Sequence, residues 1–165
     1  MADYRTDFFK SAAFETHGLI LNGQEFISNS PEDTFFLGKQ LAAYLSAGCV
    51  VALTGTLGSG KTQLTKGIAC GLGINENITS PTYTIVNEYL LRSSSVFFHI
   101  DAYRLNGEKD FEDIGGSEIL NSGTICIIEW SDRICGCLPD DVINISIDIT
   151  GSDSRRIKIS RQGDL

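Results

Sequence analysis

The hydrophobic positions of this chain fall into short runs and helical stripes that alternate along its length. Residues 18–28 read as a strand at a sheet edge. Ser30-Pro31-Glu32-Asp33 then opens a helix, with Ser30 as N-cap, Pro31 at the first helical position and acids in the first turn. Leu37, Leu41 and Leu45 recur at i, i+4 and i+8, so this helix lays one face on a sheet. The run Cys49-Val50-Val51-Ala52-Leu53 is apolar without alternation, as expected of a parallel strand covered on both faces. A helix follows from Lys61 to Gly71, stopped by Gly71-Leu72-Gly73. Ser80-Pro81-Thr82 punctuates the chain before an extended stretch over 83–91, and Arg92-Ser93-Ser94-Ser95 is a turn. Residues 96–101 and 124–129 are two more apolar strands, each ending on an acid. The polar, glycine-containing region 106–116 lies between them, followed by a short helix over 117–121. Residues 141–149 alternate, and 155–160 pair with them as a final hairpin. The order is that of an α/β domain.

Composition narrows this to one core. The chain has 165 residues, 42% of them apolar, enough for a single compact domain and too apolar for wholesale disorder. We assign residues 17–165 to that domain and residues 1–16, which show no period, to a loose N-terminal extension. No stretch approaches the ~20 apolar residues of a membrane span, and the N-terminus lacks a secretory pattern. A cytoplasmic protein without membrane association is expected. The five cysteines are odd in number and scattered, which predicts reduced thiols; Cys135-Gly136-Cys137 lacks a second ligand pair and reads as two loop thiols. The net charge of −8 leaves no basic stripe apart from Arg155, Arg156, Lys158 and Arg161. Any involvement with RNA is expected to run through a partner.

Chemistry enters at residues 55–62, Gly55-Thr56-Leu57-Gly58-Ser59-Gly60-Lys61-Thr62, a complete G-x-x-x-x-G-K-[ST] phosphate-binding loop between strand and helix. Its glycines let backbone N–H groups close around a phosphate, and the helix start behind it adds partial positive charge. Lys61 supplies a point charge to the β/γ-phosphates and Thr62 a hydroxyl for Mg²⁺. Gly55, Leu57, Gly58, Ser59, Gly60, Lys61, Thr62 and Gln63 are the candidate nucleotide-binding residues. Asp101 and Glu129 end apolar strands where open α/β sheets bind ligands, so they are the candidate carboxylates for Mg²⁺ or the attacking water. A guanine-reading Asn/Thr-Lys-x-Asp segment is missing, which favours ATP over GTP. The fold expected is a single P-loop NTPase-like domain: a mostly parallel central sheet, helices on both faces, and antiparallel additions at the C-terminal end. From residue types alone the reading stops at a small Mg²⁺-dependent P-loop ATPase.

Four blocks carry a resemblance. The loop, then Ser80-Pro81-Thr82-Tyr83-Thr84-Ile85-Val86-Asn87-Glu88-Tyr89, then His99-Ile100-Asp101-Ala102-Tyr103-Arg104-Leu105, then Glu129-Trp130 follow one another as in the TsaE family. These are P-loop ATPases of tRNA threonylcarbamoyladenosine biosynthesis, and the similarity spans roughly residues 30 to 160. The resemblance implies ATP or ADP on the loop, Mg²⁺ near Thr62, Asp101 and Glu129, and Thr82 as a switch that senses the γ-phosphate. It implies Thr34 and Arg155 as candidates to flank the base. It also implies an accessory ATPase role beside TsaD- and TsaB-type proteins, which place threonylcarbamoyl on adenosine 37 of tRNA. A non-catalytic nucleotide-sensing module and a small-molecule kinase are the alternatives. Thr56 departs from the family, which usually has an acid there, and Ser152 stands where an Arg often follows the glycine matching Gly151.

Overall fold

The computed structural model describes residues 24–93 and 95–161. The extension assigned to residues 1–16, and residues 18–23 of the first predicted strand, lie outside them. The strands are β1 (Gln24–Ser28), β2 (Val50–Thr54), β3 (Val86–Leu90), β4 (Val96–Asp101), β5 (Ile125–Glu129), β6 (Ile143–Ile149) and β7 (Arg155–Arg161). The α-helices are α1 (Pro31–Leu41), α2 (Lys61–Gly71), α3 (Glu108–Asp113) and α4 (Gly116–Leu120). They form a mixed α/β fold on one 7-stranded sheet of order β1-β7-β6-β2-β5-β4-β3.

The middle of the sheet is parallel: β6, β2, β5 and β4 run the same way. The apolar runs without alternation belong here, and the side chains show why. Val51, Leu53, Ile125 and Ile127 pack with Leu37, Leu41, Leu64 and Ile68 of α1 and α2. Val50, Ala52, Cys126 and Ile128 point the other way, toward Phe111 of α3 and Ile134. Both faces of β2 and β5 are covered, so their runs stay apolar up to the strand ends. At one edge the hairpin β6–β7 is antiparallel, as expected from the sequence, and β1 joins β7 antiparallel as well. β3 is also antiparallel, at the opposite edge on β4. The expectation confined antiparallel pairing to the C-terminal end. The turn from Leu90 to Val96 is too short for the crossover that a parallel neighbour needs.

Three local differences follow from weak signals. The helix read from Ser117 begins at Gly116 and ends at Leu120. α3 occupies part of the region read as polar loop, because its single fully buried residue, Phe111, gives no period to read. Residues 82–84 form a turn instead of the start of a strand, with Ile85 at φ 67 accepting its place through an Ile85 N–H bond to the Pro81 carbonyl, 2.6 Å.

Ser30 caps α1 as its sequence suggests, its Oγ accepting from the Asp33 N–H at 3.1 Å. α1 and α2 cross with their backbones nearly touching. A Cβ on Gly67 would run into the Phe35 carbonyl, and one on Gly38 into the Leu64 carbonyl. That contact seats α2, and with it the loop that precedes it.

A candidate nucleotide-phosphate site

The chain leaves β2 at Thr54 and turns sharply at Gly55, φ 146, where a Cβ would meet Ile147 O at 2.5 Å. It enters α2 through Gly60, φ 107, a left-handed position with no side chain to cap the helix. The first amides of α2 are therefore left for an anion. The buried Lys61 folds back over the loop, donating from Nζ to Gly55 O (2.7 Å) and Thr56 O (3.0 Å). The same ammonium lies 3.9 Å from the centroid of the Trp130 ring. Burial pushes the Lys61 pKa down, against the opposing pull of the Glu129, Asp101 and Asp132 carboxylates. The contact at residue 56 is made by its carbonyl, so the Thr found there in place of an acid leaves it intact.

The two strand-end acids come together. Asp101 and Glu129 are register partners on the adjacent parallel strands β4 and β5. Both are buried. Glu129 Oε2 accepts from the Thr62 hydroxyl at 3.0 Å, and its Oε1 lies 2.8 Å from His99 Nε2. Asp101 Oδ2 accepts from Ser80 Oγ (3.0 Å) and Thr82 Oγ1 (3.1 Å), while Oδ1 accepts from the Tyr103 N–H (2.9 Å). Thr82 thus meets the site through Asp101. Trp130, directly after Glu129, sits at φ 58 and stacks obliquely on Tyr103, ring centroids 4.9 Å apart. These groups wall a cavity of ≈ 430 Å³ whose lining includes Lys61, Thr62, Thr82, Asp101, Glu129 and Trp130.

The donor set suits a hard, small cation: a hydroxyl and two carboxylates, all oxygen, on one side of a phosphate loop. Among the described residues no group of three or more His, Cys, Asp and Glu forms a closed metal cage. Mg²⁺ needs none, since it keeps waters and phosphate oxygens in its shell. All five cysteines are free, Cys135 and Cys137 included.

A second cavity, ≈ 160 Å³, adjoins the loop and is lined in part by Thr34, Gly58, Ser59, Gly60, Gln63 and Arg155. Both base-flanking candidates reach it, yet their polar groups are turned elsewhere. Thr34 Oγ1 bonds Ser28 Oγ at 2.7 Å. Arg155 donates to the carbonyls of Ser59 (3.1 Å) and Gly58 (3.3 Å). Gln63 donates to Pro31 O at 3.2 Å, tying α2 to the start of α1. Leu57 is 78% exposed at the loop tip.

His99 is the site residue that residue-by-residue reasoning assigned no role. It is fully buried, and its Nδ1 has no hydrogen-bond partner. Its signal was a histidine inside an otherwise apolar strand, two positions before a strand-end acid. The basic C-terminal cluster also looks different in place. Arg156 and Lys158 pair with Glu25 (3.2 and 3.8 Å) and Arg161 with Asp141 (3.5 Å), so these charges are spread along the sheet edge. No helix among the described residues is long and apolar enough to cross a membrane.

Comparison with known proteins meets this geometry. The family described as "Threonylcarbamoyl adenosine biosynthesis protein TsaE" matches residues 28–157. A Treponema pallidum protein named tRNA threonylcarbamoyladenosine biosynthesis protein TsaE is 40% identical over 134 residues, covering 81% of this chain and 98% of that one. A Bacillus subtilis protein of the same name is 39% identical over 136 residues, 81% of this chain and 83% of its own. The crystal structure of Bacillus subtilis YdiB superposes with a TM-score of 0.72 at 32% identity, covering 87% of this chain and 88% of that chain.

Proposed function

The chain belongs to the TsaE family, and on that premise we propose that it is a Mg²⁺-dependent ATPase supporting threonylcarbamoyl transfer to adenosine 37 of tRNA. Its family is one of tRNA threonylcarbamoyladenosine biosynthesis. The finer reading rests on one observation above all. The Thr62 hydroxyl that ends the phosphate loop already touches Glu129, and Glu129 stands beside Asp101 across the strand register.

In this reading the loop amides and Lys61 hold the β- and γ-phosphates of ATP. Lys61 exchanges its bonds to Gly55 O and Thr56 O for phosphate oxygens of higher charge. Mg²⁺ would be held by Thr62 Oγ1 with Glu129 and Asp101 close by, and it would supply neutralisation of the charge that develops on the phosphates. Glu129 positions the attacking water, and the His99 imidazole fixes the carboxylate that does so. Asp101 carries the Ser80 and Thr82 hydroxyls on one oxygen, so a change at the γ-phosphate reaches the 80–85 segment through it. The threonylcarbamoyl chemistry itself belongs to partners of the TsaD and TsaB type, and the acidic chain meets tRNA through them.

The test is ATP turnover by the purified chain, alone and with the threonylcarbamoyl-transfer proteins. Slow hydrolysis that accelerates with the partners supports the proposal. Binding without hydrolysis under either condition makes the chain a nucleotide sensor, and phosphoryl transfer to a metabolite makes it a kinase.

A further inference from the structure

We propose that Arg155 is a positioning residue for the phosphate loop, clamping two of its peptide planes so that the Ser59 N–H closes the loop and the Gly60 N–H faces the phosphates. The inference rests on the reading that this loop binds phosphate, and it assigns Arg155 a role different from flanking the base.

The loop needs such a clamp. Gly58 and Gly60 flank Ser59 at φ 76 and 107, conformations that glycine enters and leaves at little cost. The peptide planes 58–59 and 59–60 are therefore free to rotate unless something holds them. Arg155 Nε donates to Ser59 O (3.1 Å) and Nη2 to Gly58 O (3.3 Å), one carbonyl of each plane. The peptides are trans among the described residues, so in each plane the N–H points opposite to the C=O. Fixing both carbonyls on the Arg155 side turns the Ser59 and Gly60 N–H groups to the other side. The Ser59 N–H closes the loop on Thr56 O at 3.1 Å. The Gly60 N–H, at the start of α2, is left to face an anion.

The guanidinium is itself held. Its Nη1 donates to Gly151 O (3.2 Å), Ser152 O (3.3 Å) and Ser154 O (2.9 Å), the carbonyls of the turn between β6 and β7. One planar fork thus ties two loops that are far apart in sequence, and an ammonium could not span both. The hydrogens committed to five carbonyls leave the group poorly placed to reach a base or a phosphate itself.

Calorimetry with three ligands separates the roles: ATP, ADP and inorganic tripolyphosphate, which has no base. Arg155→Met keeps the apolar stem and removes the fork. We expect it to weaken all three ligands by the same factor, roughly tenfold or more. The ATP KM rises with it while kcat changes much less, since Thr62, Asp101 and Glu129 are untouched. Arg155→Lys recovers little of the loss, and it supplies the same measurement should the Met variant not fold. Tripolyphosphate affinity left at the wild-type value overturns the proposal, whether or not ATP affinity falls; a fall for ATP alone makes Arg155 a base contact. Wild-type protein that binds neither ATP nor tripolyphosphate sinks the proposed function, and this inference with it. Wild-type binding that Lys61→Ala abolishes and Arg155→Met leaves intact sinks this inference alone.

Discussion

Replacing Glu129 by Gln separates what this residue does for the fold from what it does for chemistry. Gln keeps the shape and can still bond Thr62 Oγ1 and His99 Nε2, the two partners of the carboxylate at 3.0 and 2.8 Å. It removes a negative charge from a position only 2% exposed and leaves both hydrogen bonds in place. The nucleotide-free E129Q protein should therefore melt at or above the wild-type temperature. Its turnover should fall by roughly 10²–10⁴-fold, the usual contribution of a positioned general base or metal carboxylate. E129A behaves differently. It leaves the fully buried His99 with neither ring nitrogen bonded, at about 1–3 kcal/mol for such an orphaned group. In a chain of this size each kcal/mol lowers Tm by about 2–4 °C. Differential scanning fluorimetry and a phosphate-release assay with the partner proteins read the two effects separately. E129Q that hydrolyses ATP at the wild-type rate would refute the assignment, as would E129A that melts no lower than E129Q.

Three further outcomes are expected. Gly67→Ala should destabilise the protein by about 1–3 kcal/mol despite the better helix propensity of Ala, because the new methyl displaces α1 from the Phe35 carbonyl; a Tm at or above wild type contradicts the backbone-to-backbone packing. Amide exchange over residues 78–90 should be slowed more by a non-hydrolysable ATP analogue than by ADP, with Thr82→Ala reducing the difference; equal protection in all states makes the segment a fixed turn. Alkylation of the native protein should modify the exposed Cys70 and Cys135 and spare Cys126, whose thiol burial pushes up to about 12 and keeps protonated at neutral pH; rapid labelling of Cys126 in peptide mass maps would contradict the packing of β5.

How much of this was legible in the chain depended on whether one residue type carries one physical role. The loop of residues 55–62 was readable as a turn between strand and helix, since its glycines and the strongly patterned elements on either side fix its place. Ser30 announced its helix for the same reason. Asp101 and Glu129 were visible as acids closing apolar strands, but their pairing depends on the β4–β5 register, which no local pattern encodes. α3 escaped because a six-residue helix anchored by Phe111 has no period to detect. His99 and Arg155 needed the fold itself. One bonds a residue 30 positions away, the other a loop 96 positions away, and neither distance leaves a mark in sequence.

The most direct test of the account is formation of threonylcarbamoyladenosine on a tRNA transcript over many turnovers, with TsaD- and TsaB-type partners and either wild-type chain, Lys61→Ala or Glu129→Gln. The account predicts sustained modification with wild type and arrest with both variants, with E129Q still binding ATP. Equal yields from all three, or from a reaction lacking the chain, would contradict it.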